Sequence, residues 1–159
     1  MAIITLNNNS LSSVTALPAA IATGKVLQVV TSTNSTNINT TGGSFVTTNH
    51  SLSITPSSLS NKVLLIVSSI GQISSNSMCL DIYRSTSSSF VSGGKTRGLT
   101  AIEPANAMLP MPIIHLDSPS TTSAITYTIY FINTSGGTAS YNRSDVQSSF
   151  TAMEIKGWL

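Results

Sequence analysis

Short runs of β-branched and aromatic residues recur along the chain, each closed off by Gly, Pro, Asn or Ser, while the spacing of an amphipathic helix is almost absent. Branched side chains pack well on a pleated surface and turn residues end each strand, so this punctuation predicts an all-β, antiparallel β-sandwich or barrel. Positions 25–31 (KVLQVVT) read as its first strand. Positions 45–48 and 51–55 alternate polar with apolar residues, as a half-buried pair of strands does. The run 62–70 (KVLLIVSSI) is continuously apolar at its centre, which predicts a strand in the middle of a sheet with both faces covered.

Further on, Met78, Leu80 and Ile82 alternate with Cys79, Asp81 and Tyr83. Positions 108–116 are apolar but carry Pro110 and Pro112, and because proline has no N–H to give a ladder, this segment belongs on a sheet edge. Positions 125–132 (ITYTIYFI) place Ile125, Tyr127, Ile129 and Phe131 on one face and Thr126, Thr128, Tyr130 and Ile132 on the other, with packing surface on both. Positions 150–155 form a last strand, expected to pair centrally and to tolerate truncation poorly. Gly42-Gly43, Gly93-Gly94 and Gly136-Gly137 fall between strands, where turns take positive φ. Residues 1–23 differ: strand signals are few, Pro18 is followed by small residues, and Leu11, Val14 and Leu17 recur every three. This stretch reads as an N-terminal attachment arm ahead of a sandwich domain spanning 24–159.

Composition sharpens the picture. Only 8% of the 159 residues are charged, while Ser and Thr make up nearly a third. A surface of hydroxyls lacks the repulsion that keeps charged proteins apart, so copies of this chain are expected to associate. The length suits one domain with a sizeable core. A net charge of +2 with scattered Lys and Arg is no nucleic-acid footprint, and Lys95 and Arg97 read as a solvated loop. One cysteine, Cys79, permits no internal disulfide and reads as a small buried hydrophobe. The N-terminus has no positive leader region and no apolar run approaches a membrane span, so neither export nor a membrane is expected. The N-x-S/T triplets at Asn34, Asn49, Asn133 and Asn142 follow from the Ser/Thr content.

Catalytic patterns are thin. G-x-S-x-G is absent, the carboxylates are never adjacent, and His50 and His115 are the only histidines. His115 lies two residues before Asp117, on the same face of a strand, which a strand-end hydrogen bond beside a turn explains as well as a catalytic pair does. No catalytic residue, cofactor or metal ligand set is expected, and the chain does not read as an enzyme.

The blocks Gly24-Lys25-Val26-Leu27-Gln28-Val29-Val30, Ser53-Ile54-Thr55-Pro56-Ser57-Ser58, Lys62-Val63-Leu64-Leu65-Ile66-Val67, Leu116-Asp117-Ser118-Pro119 with Tyr127 downstream, and Met153-Glu154-Ile155-Lys156-Gly157 resemble, in order and spacing, a family of small virion structural proteins of tailed bacteriophages, including those of cyanobacteria. The resemblance covers roughly 24–157 and implies a jelly-roll-like sandwich, a homotrimer, displayed on the outer surface of the particle. A capsid cement or decoration protein is the function expected, with the major capsid protein or another shell protein as partner. A tail- or head-fibre module that binds a host-surface glycan or protein is the alternative. On this reading Ile3, Ile4, Leu6, Leu11, Val14 and Leu17 attach the arm to the shell, and Tyr127, Tyr130, Phe131 and Trp158 meet around the trimer axis.

Overall fold

The computed structural model describes residues 25–75, 77–103, 106–134, 136–143 and 146–157, and among them every regular element is a strand. In chain order these are β1 (Val26–Asn34), β2 (Ile38–Thr40), β3 (Val46–Ile54), β4 (Lys62–Ser68), β5 (Ile70–Ile73), β6 (Met78–Arg84), β7 (Ser89–Phe90), β8 (Thr100–Ile102), β9 (Met108–Pro110), β10 (Ile113–Asp117), β11 (Ile125–Asn133), β12 (Ala139–Tyr141) and β13 (Ser148–Ile155). Every pairing between them is antiparallel. They make three hydrogen-bonded sheets, ordered β1-β13-β4-β10, β2-β12-β5-β9 and β3-β11-β6-β7, with β8 also paired to β6.

The first two orders are one ribbon read twice. β1 precedes β2, β4 runs into β5, β9 into β10 and β12 precedes β13, so four long strands bend together and wrap the five-stranded sheet. Across the layers β3 lies against β1 and β13, β5 against β6, and β12 against β11. The chain passes repeatedly between layers, giving the antiparallel sandwich that the sequence pattern predicts, compatible with the jelly-roll-like form that the resemblance implies.

The bend has its own chemistry. Between β4 and β5, Ser69 Oγ donates to Met111 O at 2.9 Å, and the Met111 N–H returns a bond to Ser69 O at 2.8 Å. After β12, Asn142 takes φ = +54°, a left-handed backbone that asparagine tolerates better than most residues. Its N–H donates to Ile70 O at 3.1 Å and its Nδ2 to Asn34 O at 2.7 Å. A Cβ at Gly71 would overlap the sulfurs of Met111 and Met78, so the two methionines pack at the bend only over a glycine. Pro110 ends β9 and Pro112 lies between β9 and β10, on the outermost side of the bent ribbon, where a missing N–H breaks no interior ladder.

Between the layers lies a core that includes Val63, Leu65, Val67, Leu80, Ile82, Ile129, Phe131, Tyr141 and Phe150. Burying each large apolar side chain contributes roughly 1.5–3 kcal/mol. Cys79 is wholly buried, as its apolar neighbours predict. Two local readings are corrected. The pair predicted at 45–48 and 51–55 is one strand, β3, carrying two extra residues opposite Ile129. Asn49 turns out at φ = +55°, while Thr48 Oγ1 donates to Ile129 O at 2.8 Å in place of a ladder bond. The second concerns β4, which is central, between β13 and β10, but covered on one face only: Val63, Leu65 and Val67 are buried while Leu64 and Ile66 are half-exposed.

Candidate functional site

The unshielded face of β4 belongs to a larger surface. Register alignment sets Val29, Met153, Leu64 and Leu116 in one row across β1-β13-β4-β10, and Thr31, Thr151, Ile66 and Ile114 in the next. Residues directly opposite on paired strands share a face, so both rows point outward. Ile114 is 76% exposed, Val29 and Leu116 each 55%. Val26 and Leu27 are also exposed, and of the seven large exposed hydrophobic residues among the described ones, five lie on β1 and β10. Lys62, whose Nζ donates to Ser118 Oγ at 2.8 Å, and the exposed Lys25 are charges at the margin of this face.

Local sequence explains the polarity of β10. His115 and Asp117 share one face and Ile114 and Leu116 the other, so one pair must point out. Asp117 goes inward because it has partners there: Arg84 Nη1 reaches both of its oxygens at 2.8 and 2.9 Å, and the Tyr127 hydroxyl donates at 2.6 Å. The Ser118 N–H adds a fourth bond at 2.8 Å, the strand-end contact expected beside the turn. Arg84 and Tyr127 come from the opposite layer, so this cluster ties the two layers together. Burial, and then the bond to Asp117, push the Tyr127 hydroxyl well above the usual phenol range.

Other titratable groups lie inside the sandwich with partners of their own, among them His50, Tyr141 and Asp81. His50 Nδ1 and the Tyr141 hydroxyl are 2.8 Å apart and His50 Nε2 is 3.3 Å from Ser32 O. Burial lowers the His50 pKa, partly offset by the Ser32 carbonyl, and pushes the Tyr141 hydroxyl up to about 12. Asp81 is fully buried, accepts from the Ile82 N–H and Ser92 Oγ, and is raised by that burial. Among the described residues no three of His, Cys, Asp and Glu gather in one place.

The outer face of the five-stranded sheet carries a different surface. Phe45, Phe90, Tyr83 and Tyr130 pack in a chain of ring contacts, with centroids 4.7 Å apart for Phe45–Phe90 and 5.5 Å for both Phe90–Tyr130 and Tyr83–Tyr130. All four are partly exposed. Beside them Phe45, Phe90 and Ile132 floor an open cleft of about 420 Å³, rimmed by Ser44, Lys95 and Thr96.

The sequence-predicted contacts are placed unevenly. Tyr127 and Phe131, expected at a surface, are instead wholly buried within the chain, because β11 turns that face to the core. Tyr130 does face outward, in the aromatic chain. Ile3, Ile4, Leu6, Leu11, Val14, Leu17 and Trp158 lie outside the described residues. Missed from the sequence were Val29, Ile114 and Leu116. The one signal for the last two was the alternation Ile114-His115-Leu116-Asp117, whose outward face is fixed by Arg84 and Tyr127 in the opposite layer. Compared with known proteins, the chain matches no protein-family model and no curated protein.

Proposed function

We propose that this chain is a structural protein of a virion, a cement or decoration protein on the head of a tailed bacteriophage, which trimerises and holds the shell through many repeated contacts. The observation that carries the reading is the apolar outer face of β1-β13-β4-β10. Single exposed hydrophobic residues are ordinary, but a contiguous patch on an otherwise polar surface marks an interaction site. The occupant is a second copy of the chain. The two rows that form the face carry no charged residue, so two copies meet there with little repulsion, and among the described residues its outer strands β1 and β10 leave open edges that a closed ring would protect.

Size supports a ring over a lone pair. At strand spacings of about 4.8 Å and a rise of about 3.3 Å per residue the patch covers roughly 300–400 Å². A standard interface takes roughly 800 Å² from each partner. A ring gives every copy two neighbours, and attachment to a lattice multiplies contacts too weak to hold singly. Lys25 enters β1 at the rim of this face, which supports reading residues 1–23 as an attachment arm. A protein that binds only the assembled shell stabilises it by mass action.

The test pairs native mass with shell stability. Wild-type protein at micromolar concentration is expected to scatter light as a trimer, and to raise the melting temperature of head shells stripped of it. Ile114→Lys with Leu116→Lys, at positions whose exposure makes the folding cost about 0.5 kcal/mol or less each, is expected to give a folded monomer that restores no shell stability. A wild-type monomer with no effect on shell melting overturns the reading.

A further inference from the structure

We infer that the cleft between residues 43–45 and 94–96 binds a sugar ring that carries a carboxylate, such as a hexuronic acid within an oligosaccharide. Its volume, about 420 Å³, lies in the range of roughly 300–1,000 Å³ usual for small-ligand sites. The floor is apolar and ring-shaped: Phe45, Phe90 and Ile132, with Phe90 held from behind by edge contacts to Tyr83 at 5.6 Å and Tyr130 at 5.5 Å. The rim is hydroxyl and backbone. Ser44 and Thr96 supply the hydroxyls, and a Cβ at Gly43 or Gly94 would meet nothing within 4 Å, so a ligand approaches the main chain there unhindered.

A pyranose ring has the complementary form, with an apolar face of C–H groups and an edge of hydroxyls. A purely apolar ligand would leave the rim groups unmatched, and a polyphosphate would need more than one cation. The single cation is Lys95, which is exposed and takes part in neither of the two ion pairs found among the described residues, Arg84–Asp117 and Arg97–Glu103. No carboxylate lines the cleft to compete for it. An acidic sugar therefore pairs its carboxylate with Lys95 while its ring lies on Phe45 and Phe90. The cleft opens on the layer opposite the apolar face of β1 and β10, so the inference does not depend on the association proposed above.

Titration of the full ¹⁵N-labelled chain with trigalacturonate, and separately with the neutral maltotriose, tests it. Saturable shifts confined to residues 43–45, 90–96 and 132 are expected for trigalacturonate, with a dissociation constant on the order of 1 mM. Lys95→Gln, on an exposed side chain, is expected to weaken trigalacturonate about tenfold and leave maltotriose unaffected. Phe45→Leu is expected to weaken both, at an unchanged melting temperature. No saturable trigalacturonate binding, equal affinity for maltotriose, or indifference to Lys95→Gln each overturns the inference.

Discussion

Glu154 is 1% exposed, and its response to acid is decided by the groups around it. Burial raises its pKa, but Gln28 Nε2 at 2.7 Å, Asn61 Nδ2 at 2.5 Å, and the N–H and hydroxyl of Ser57 at 2.6 and 2.8 Å outweigh that and hold it below the ordinary value. These bonds pin the loop between β3 and β4 to β13. A carboxyl depressed by folding gives stability that is fully present above its ordinary value of 4.5 and is lost as pH falls through the folded value. His50 acts in the same direction at higher pH: its folded pKa is below 6.5, so the unfolded chain binds the proton more readily and stability falls as pH drops past that value. Thermal melting from pH 8 to pH 3 is therefore expected to show two declines, one beginning near 6.5 and one below 4.5. Glu154→Gln is expected to remove the lower one and, by leaving donors unmatched, to cost about 1–3 kcal/mol at pH 7, on the order of 5 °C in melting temperature.

At the scale of the element, β4 and β10 teach opposite lessons. In β4 the alternation sends Leu65 into the core and Ile66 to the outer face. Leu65→Ala is expected to destabilise the folded protomer by about 2–5 kcal/mol, whereas Ile66→Ser is expected to change protomer melting little and to shift the oligomer toward monomer in sedimentation. The place of β4 was legible because an apolar run of that length has few other homes; its half-open outer face was not, since a strand covered by a second layer and one covered by another molecule look the same in sequence. In β10 the side facing inward depends on Arg84 and Tyr127, which the folded topology places in the opposite layer. The inward face of β11 was hidden in a similar way: aromatic residues stand on both of its faces, Tyr127 and Phe131 on one and Tyr130 on the other, and give no sign of which face the opposite layer covers.

For the molecule as a whole, the low charge that suggests assembly also predicts how assembly responds to salt. Contacts between apolar faces are not screened, so the oligomer is expected to persist from about 0.05 to 0.5 M sodium chloride and to strengthen in sulfate; dissociation by moderate salt, seen in sedimentation, would contradict that. Fold class and most strands were readable from period-two patterning and turn residues. The bent ribbon was not, because its hinge rests on Ser69, Gly71, Met111 and Asn142, ordinary residues whose partners are set only by the completed topology.

One pairing reaches into the birth of the protein. β1, the first described strand to leave the ribosome, has a single hydrogen-bonded neighbour among the described strands of its sheet, β13, and of those strands it is made last. Synthesis at about 5–20 residues per second leaves β1 unpaired for several seconds while the intervening strands emerge. Cotranslational closure in chain order is thus ruled out for this ribbon, and the nascent polypeptide must keep its earliest greasy segment from wrong partners until the late strand arrives to lock it.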